Sequence, residues 1–228
     1  MNGAGKLKKK IAAGKLDKIA AQIREHLGDK DAARERCLKN CREIIRLSST
    51  AIRAIHRREK EQALKLIGSA GLLVIQIGND FAGRHGDLLS ANYVHDAFKE
   101  YAEASITYGI ICEKCIPDPD KLKVAYPAFL NGLAESVGEL RRYLLDGLRQ
   151  NDFTGAEDLL DSMDHIYSVL VTMDFPDAIT YGLRRNTDNV RGIVEKTRGD
   201  LTTFIHNRNL QQKINRLAKI LGNSADLP

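Results

Sequence analysis

Proline occurs at only five of 228 positions, Pro117, Pro119, Pro127, Pro176 and Pro228, which leaves most of the chain free to run in long helices. No period-2 alternation of β-branched residues supports a strand. Apolar periodicity and end signals predict a basic amphipathic helix over 5–27 that ends at Gly28. A second is expected over 31–60, with a break near Arg58–Glu61. Further helices are expected over about 61–80 and from Ser90 or Asn92 to Cys115. Pro127 suits a first helical turn and opens a helix to Gln150. Thr154 and Glu157 have capping-box spacing and start another that ends before Pro176. A last helical region covers about 177–221, with a bend at Gly199. With no internal repeat and no low-complexity linker, the expectation is one all-α domain over 1–228, in which 1–30 form a basic N-terminal helix.

Four carboxylates carry most of the chemical information. Glu100 and Glu103 are spaced i,i+3 in KEYAEAS, and Glu135 and Glu139 are spaced i,i+4 in GLAESVGELRR. Each pair projects from one side of its own helix. Two such helices packed face to face would gather four acids around one point, which is costly without a cation. With one, the set is a hard-oxygen site suited to Mg²⁺ or Mn²⁺. Wheel arithmetic does not settle the matter. The main apolar stripes, Phe129, Leu133, Val137, Leu140 and Leu144 on one helix and Val94, Phe98, Tyr101, Tyr108 and Cys112 on the other, lie away from the acids. Solvent-facing pairs are therefore the competing reading. Against it, Ile110 and Ile111 continue the first acidic side, and Ala128 and Gly132 beside the second pair would let another helix approach.

The basic residues are unevenly spread within a net charge of +5 (35 basic, 30 acidic). Lys39, Arg42, Arg46, Arg53, Arg57 and Lys60 fall within an arc of roughly 60° on a helical wheel. Leu38, Cys41, Ile45, Ile52 and Ile55 make an apolar stripe on the other side. The basic stripe is nearly free of acids and reads as a phosphate-binding face, with a merely solvated face as the alternative. Arg184 and Arg185 begin a second cluster that continues through Arg191, Lys196 and Arg198, and Arg84 lies in the glycine-rich NDFAGRHGD. Trp is absent and aromatics are 6%, which argues against stacking as the main mode of nucleic-acid binding.

Several classes are disfavoured. The basic N-terminus lacks the continuous apolar stretch of a secretory signal, and Leu66 to Ile77 is too short to span a bilayer. A cytoplasmic protein with no membrane partner is expected. Its Cys37, Cys41, Cys112 and Cys115 are better read as reduced thiols than as a zinc site. No Glu-x-x-His motif of the di-iron bundles occurs. Glu100-x-x-Glu103 matches half of the signature of all-α nucleotide pyrophosphohydrolases, but their second motif is not matched. There is no P-loop and no Gly-x-Ser-x-Gly.

The segments RERCLKNCREIIRLSSTAIRAIHR, KEYAEAS, FLNGLAESVGELRR and YGLRRNTDNVRGIVEKTRGD, in that order, resemble translin and its partner Trax over about residues 31–205. Trax carries Glu-x-x-Glu where this chain has Glu100 and Glu103, and an Asp and a Glu four apart where it has Glu135 and Glu139. Translin lacks most of this set. The chain therefore resembles the Trax branch, with Glu135 in the place of Asp.

The resemblance implies a seven-helix bundle that assembles into a hollow, octamer-like shell. The eukaryotic assembly is component 3 promoter of RISC, whose Trax subunits cleave single-stranded RNA with Mg²⁺. For one chain, a homo-oligomer of archaeal type is expected. Its Glu100, Glu103, Glu135 and Glu139 would be both catalytic and metal-binding, acting on single-stranded RNA, with DNA as a further partner. Asp96, one turn before Glu100, is a candidate acid just outside the metal ligands. Arg142 would either neutralise charge on the phosphate or hold Glu139 in an ion pair. The alternative function is a translin-like binder of single-stranded RNA or DNA without catalysis, and after that the nucleotide pyrophosphohydrolase.

Overall fold

The computed structural model describes the backbone of residues 3–81, 83 and 85–224, and side-chain surroundings over 14–81, 83 and 85–219. Among the described residues the fold is all-α, as expected. Six long helices are α1 (Gly3–His56), α2 (Lys60–Phe81), α3 (Asn92–Tyr108), α5 (Tyr126–Arg149), α6 (Ala156–Val171) and α8 (Leu183–Ser224). Two single turns, α4 (Pro119–Leu122) and α7 (Asp177–Thr180), lie between them. No helix among the described residues is long and apolar enough to cross a membrane.

The core half of α1 buries Ala33, Cys37, Cys41, Ile44, Ser48, Ala51 and Ile55, a spacing of three and four that lays one face on the bundle. α1 packs on α2 and α3, α3 on α5, and α5 on α6 and α8. α3 is therefore enclosed between α1 and α5. Every residue from Tyr101 to Ile111 is buried, so this segment has no solvent face at all.

Three expectations about helix ends are corrected. The helices expected over 5–27 and 31–60 are one continuous helix of 54 residues. A glycine ends a helix readily when it takes up the left-handed conformation. Gly28 stays helical, at a cost of about 0.5–1 kcal/mol relative to alanine, and so does Gly199, where a bend was expected. The break before α8 falls instead at Tyr181 and Gly182, both left-handed with φ of 55° and 80°. The capping box at Thr154 does not form. α6 is preceded by Gly155 at φ 75°, with no side-chain cap, and the Thr154 amide donates to Asp152 Oδ1 at 3.2 Å.

Candidate metal centre and nucleic-acid surface

α3 and α5 come into close contact at Gly132. A Cβ placed there would lie 2.7 Å from the Lys99 carbonyl oxygen, 2.8 Å from Ala102 Cβ and 2.9 Å from the Glu103 nitrogen. Only a residue without a side chain lets the two backbones come this close. The result is that Glu100 and Glu103 from α3 meet Glu135 from α5, with one carboxylate oxygen from each inside a 4.8 Å grouping.

Burial differs among the acids. Glu103 is 8% exposed, whereas Glu100, Glu135 and Glu139 are half-buried. Burial, and then the charges of Glu100, Glu135 and Glu139, push the Glu103 carboxyl up to about 8. Burial also raises Glu100, against the nearby Lys99 ammonium. Glu139 is set apart from the other three. His56 Nε2 donates to its Oε2 at 2.5 Å, and Arg142 Nη1 lies 3.9 Å from the same oxygen. That hydrogen bond holds Glu139 below the usual carboxylate range despite burial.

Two residues at this centre were not singled out by sequence reasoning. Lys99 Nζ donates to Glu135 Oε1 at 2.8 Å and lies 3.6 Å from Glu100 Oε1. Burial pulls the ammonium down, but Glu135, Glu100 and Asp96 more than reverse this and leave Lys99 raised. The other is His56, from the end of α1, whose buried Nδ1 has no hydrogen-bond partner among the described residues. Lys99 could have been found as the cation next to Glu100. Nothing in the spacing signals His56, which is 83 residues from Glu139.

Two cavities of about 320 Å³ each flank the acids, and Glu135 and Asn186 line both. One also includes Lys99 and the exposed Asp96. The other includes Glu103.

Lys39, Arg42, Arg46 and Arg53 lie on the exposed side of α1, but the helix expected to carry all six basic residues ends at His56, so Arg57 falls in the turn after it and Lys60 starts α2; all six are exposed. The stripe is less free of acids than its spacing suggested. Arg46 makes a two-pronged contact with Glu43, at 2.8 and 2.6 Å, and Arg57 Nε lies 3.2 Å from Glu59. Arg184 and Arg185 are exposed on the first turn of α8. Arg84 lies outside the described residues. Cys37 and Cys41 are buried on α1, while Cys112 is half-buried and Cys115 exposed beyond α3.

An all-helical bundle with a carboxylate grouping between two helices and exposed arginines along a third defines the class of protein. No family model matches the chain. Its structure is similar to that of AfC3PO, with 34% identity, a TM-score of 0.75, and coverage of 83% of this chain and 98% of that one. The structure of AfC3PO in complex with duplex RNA matches at 33% identity and a TM-score of 0.74, over 83% and 97% of the two chains. Apo-NeC3PO, at 20% identity and a TM-score of 0.71 over 83% and 96%, shares the fold. An uncharacterized protein of Methanocaldococcus jannaschii is 30% identical over 199 residues, 84% of this chain and 85% of that protein. The chain belongs to the translin/Trax family, to which the component 3 promoter of RISC proteins belong.

Proposed function

We propose that this protein is a metal-dependent endoribonuclease that cleaves single-stranded RNA, with Glu100, Glu103, Glu135 and Glu139 as its acidic centre. The observation that carries this reading is the convergence of three carboxylate oxygens within 4.8 Å of one another. Like charges at that range do not all stay ionised unless a proton or a cation shares the site. The donor set fits Mg²⁺ or Mn²⁺, since it consists of oxygen alone and is shielded from bulk water on the Glu103 side. Glu100, Glu103 and Glu135 would hold the ion. When bound, it supplies a Lewis acid for a phosphodiester oxygen and makes an attacking water easier to deprotonate. Glu139, kept ionised by the His56 hydrogen bond, is the acid left to accept that proton at a carboxylate oxygen. Lys99 Nζ and the Arg142 guanidinium offer positive charge to the phosphate.

The exposed Lys39, Arg42, Arg53, Arg57, Lys60, Arg184 and Arg185 would hold the RNA backbone, and would position it without reading sequence. The duplex RNA complex of AfC3PO supports a nucleic-acid ligand for this fold. The working form is proposed to be a homo-oligomer with an octamer-like shell, which also binds single-stranded DNA.

One observation favours the second reading, a translin-like nucleic-acid-binding protein without catalysis. Lys99 already places a positive charge beside Glu135 and Glu100. The test is to incubate the wild type and Glu103→Gln with single-stranded RNA, single-stranded DNA and nucleoside triphosphates, with and without Mg²⁺. The expected result is RNA fragments only with Mg²⁺ and only from the wild type, with RNA binding nearly equal in the two proteins. Binding without cleavage would select the second reading. Pyrophosphate release from triphosphates would select a pyrophosphohydrolase.

A further inference from the structure

One of the two cavities beside the acids is built differently from the other. α3, α5 and the α7–α8 junction enclose it, and its lining joins Lys99 and Glu135 to His95, Tyr181, Asn92 and Asn186. The His95 and Tyr181 rings are stacked, with centroids 4.1 Å apart and planes 10° from parallel. Tyr181 remains 41% exposed, so ring surface is left for a third planar group. At about 320 Å³ the cavity reaches the roughly 300–1,000 Å³ typical of small-ligand pockets.

The placement of that ring is unusual for a mere turn. Tyr181 ends α7 with φ 55° and ψ 47°, a left-handed conformation that a bulky side chain rarely adopts and that glycine or asparagine fills more readily. Buried Asn131 holds the junction in this shape. Its Nδ2 donates to the Thr180 carbonyl at 2.8 Å, and its Oδ1 accepts from Asn186 Nδ2 at 2.8 Å. The same Asn131 therefore ties α5, which carries Glu135, to the residue before Tyr181 and to the start of α8.

We propose that this cavity takes one unpaired nucleobase of a bound strand, stacked on the His95–Tyr181 pair, with the adjoining phosphate lying beside Lys99 at the acidic centre. This rests on the reading that a nucleic acid is bound there. Asn92 and Asn186 present both donors and acceptors at the cavity, so the edge of any base can be met, and sequence preference is modest. A base held in a duplex cannot enter such a pocket without unpairing. Selection of single-stranded or bulged positions then follows from the shape of the site.

The test uses a short single-stranded RNA carrying 2-aminopurine, whose fluorescence falls on stacking, titrated into the full-length protein without divalent cations. Tyr181→Gly is the informative variant, because glycine relieves the backbone at that position and the fold should survive. Tyr181→Phe keeps the ring, and His95→Ala is a second removal. Quenching is expected for the wild type, Tyr181→Phe and Glu103→Gln, and should be largely lost in Tyr181→Gly and His95→Ala. RNA affinity should fall about 5- to 100-fold with the ring, the range that loss of one base–aromatic stack gives. Equal quenching and affinity in the wild type and Tyr181→Gly would overturn the proposal, as would Tyr181-dependent quenching of a fully paired duplex. RNA cleavage in Mg²⁺ that ignores Tyr181 would sink the pocket and leave the nuclease standing. Tyr181-dependent quenching with no cleavage would do the reverse.

Discussion

Lys99 Nζ lies 2.8 Å from Glu135 Oε1 and joins α3 to α5 across the carboxylate grouping. The ammonium therefore lowers the repulsion that Glu100, Glu103 and Glu135 would otherwise feel. Lys99→Met keeps the length of the side chain and removes the charge. In the metal-free protein it should cost about 1–3 kcal/mol of stability, because half-buried acids lose a partner. A divalent cation should then raise the melting temperature more in the variant than in the wild type, since it replaces a missing positive charge. Thermal melts with and without Mg²⁺ measure both, and an Mg²⁺ effect equal in the two proteins would disconnect Lys99 from the cation site.

The Glu103 carboxyl, held up to about 8 in the folded chain, makes metal-free stability depend on pH. The folded value is above the unfolded one of about 4.3, so the folded state binds the proton more tightly. This contribution is fully present below about pH 4.3 and is lost as pH rises through 8. Urea unfolding should therefore show a loss of ~4 kcal/mol between pH 5 and 9, at about 1.4 kcal/mol for each tenfold in proton affinity. Glu103→Gln should flatten this profile. So should Mg²⁺, because a cation takes the place of the proton, and its affinity should in turn strengthen with rising pH.

The all-α class and most helix positions were legible because proline sparsity and apolar periodicity are local signals. Gly28 and Gly199 misled for the same reason, since glycine marks a helix end only if the chain beyond it turns away. The acids show a different limit. A single apolar stripe predicts one buried face, but α3 lies between α1 and α5 and is buried on all sides from Tyr101 to Ile111. Glu103 is therefore buried although it lies off the stripe. The spacing brought Glu100, Glu103 and Glu135 forward as a group, and the structure does bring them together. It carried nothing about His56, because a contact between the end of α1 and the middle of α5 is a property of the packing alone.

Gly132 sets the distance between the two acid-bearing helices. Its missing Cβ would fall 2.7 Å from the Lys99 carbonyl oxygen, and backbone cannot step aside as a side-chain tip can. Gly132→Ala should separate α3 from α5 by a few tenths of an ångström and cost ~1–3 kcal/mol, as overpacking does. Divalent-cation binding should weaken more than this stability loss explains, since ligands from both helices must meet one ion. Calorimetric titration with Mn²⁺ beside urea unfolding separates the two effects. Gly138, one turn beyond Glu135 and with open space around its Cβ position, is the control, and Gly138→Ala should leave both nearly unchanged.

The exposed arginines of α1 are not equivalent, and their contacts rank them. Arg46 is already held by both oxygens of Glu43, a bond that must be broken or shared before it meets a phosphate. Among the described residues, Arg53 donates to the Thr50 hydroxyl, at 3.0 Å, a contact that leaves its charge uncompensated. Removing a phosphate-binding cation weakens binding about equally for all sequences and lowers the salt slope by about one. Arg53→Ala should show this behaviour with single-stranded RNA over a series of salt concentrations. Arg46→Ala should change the slope by less, because Glu43 already takes up much of the charge that Arg46 would offer a phosphate. Glu43→Gln should then strengthen binding, by releasing Arg46 to the phosphates. Loss of affinity in Glu43→Gln would mean that the basic stripe of α1 does not face the RNA.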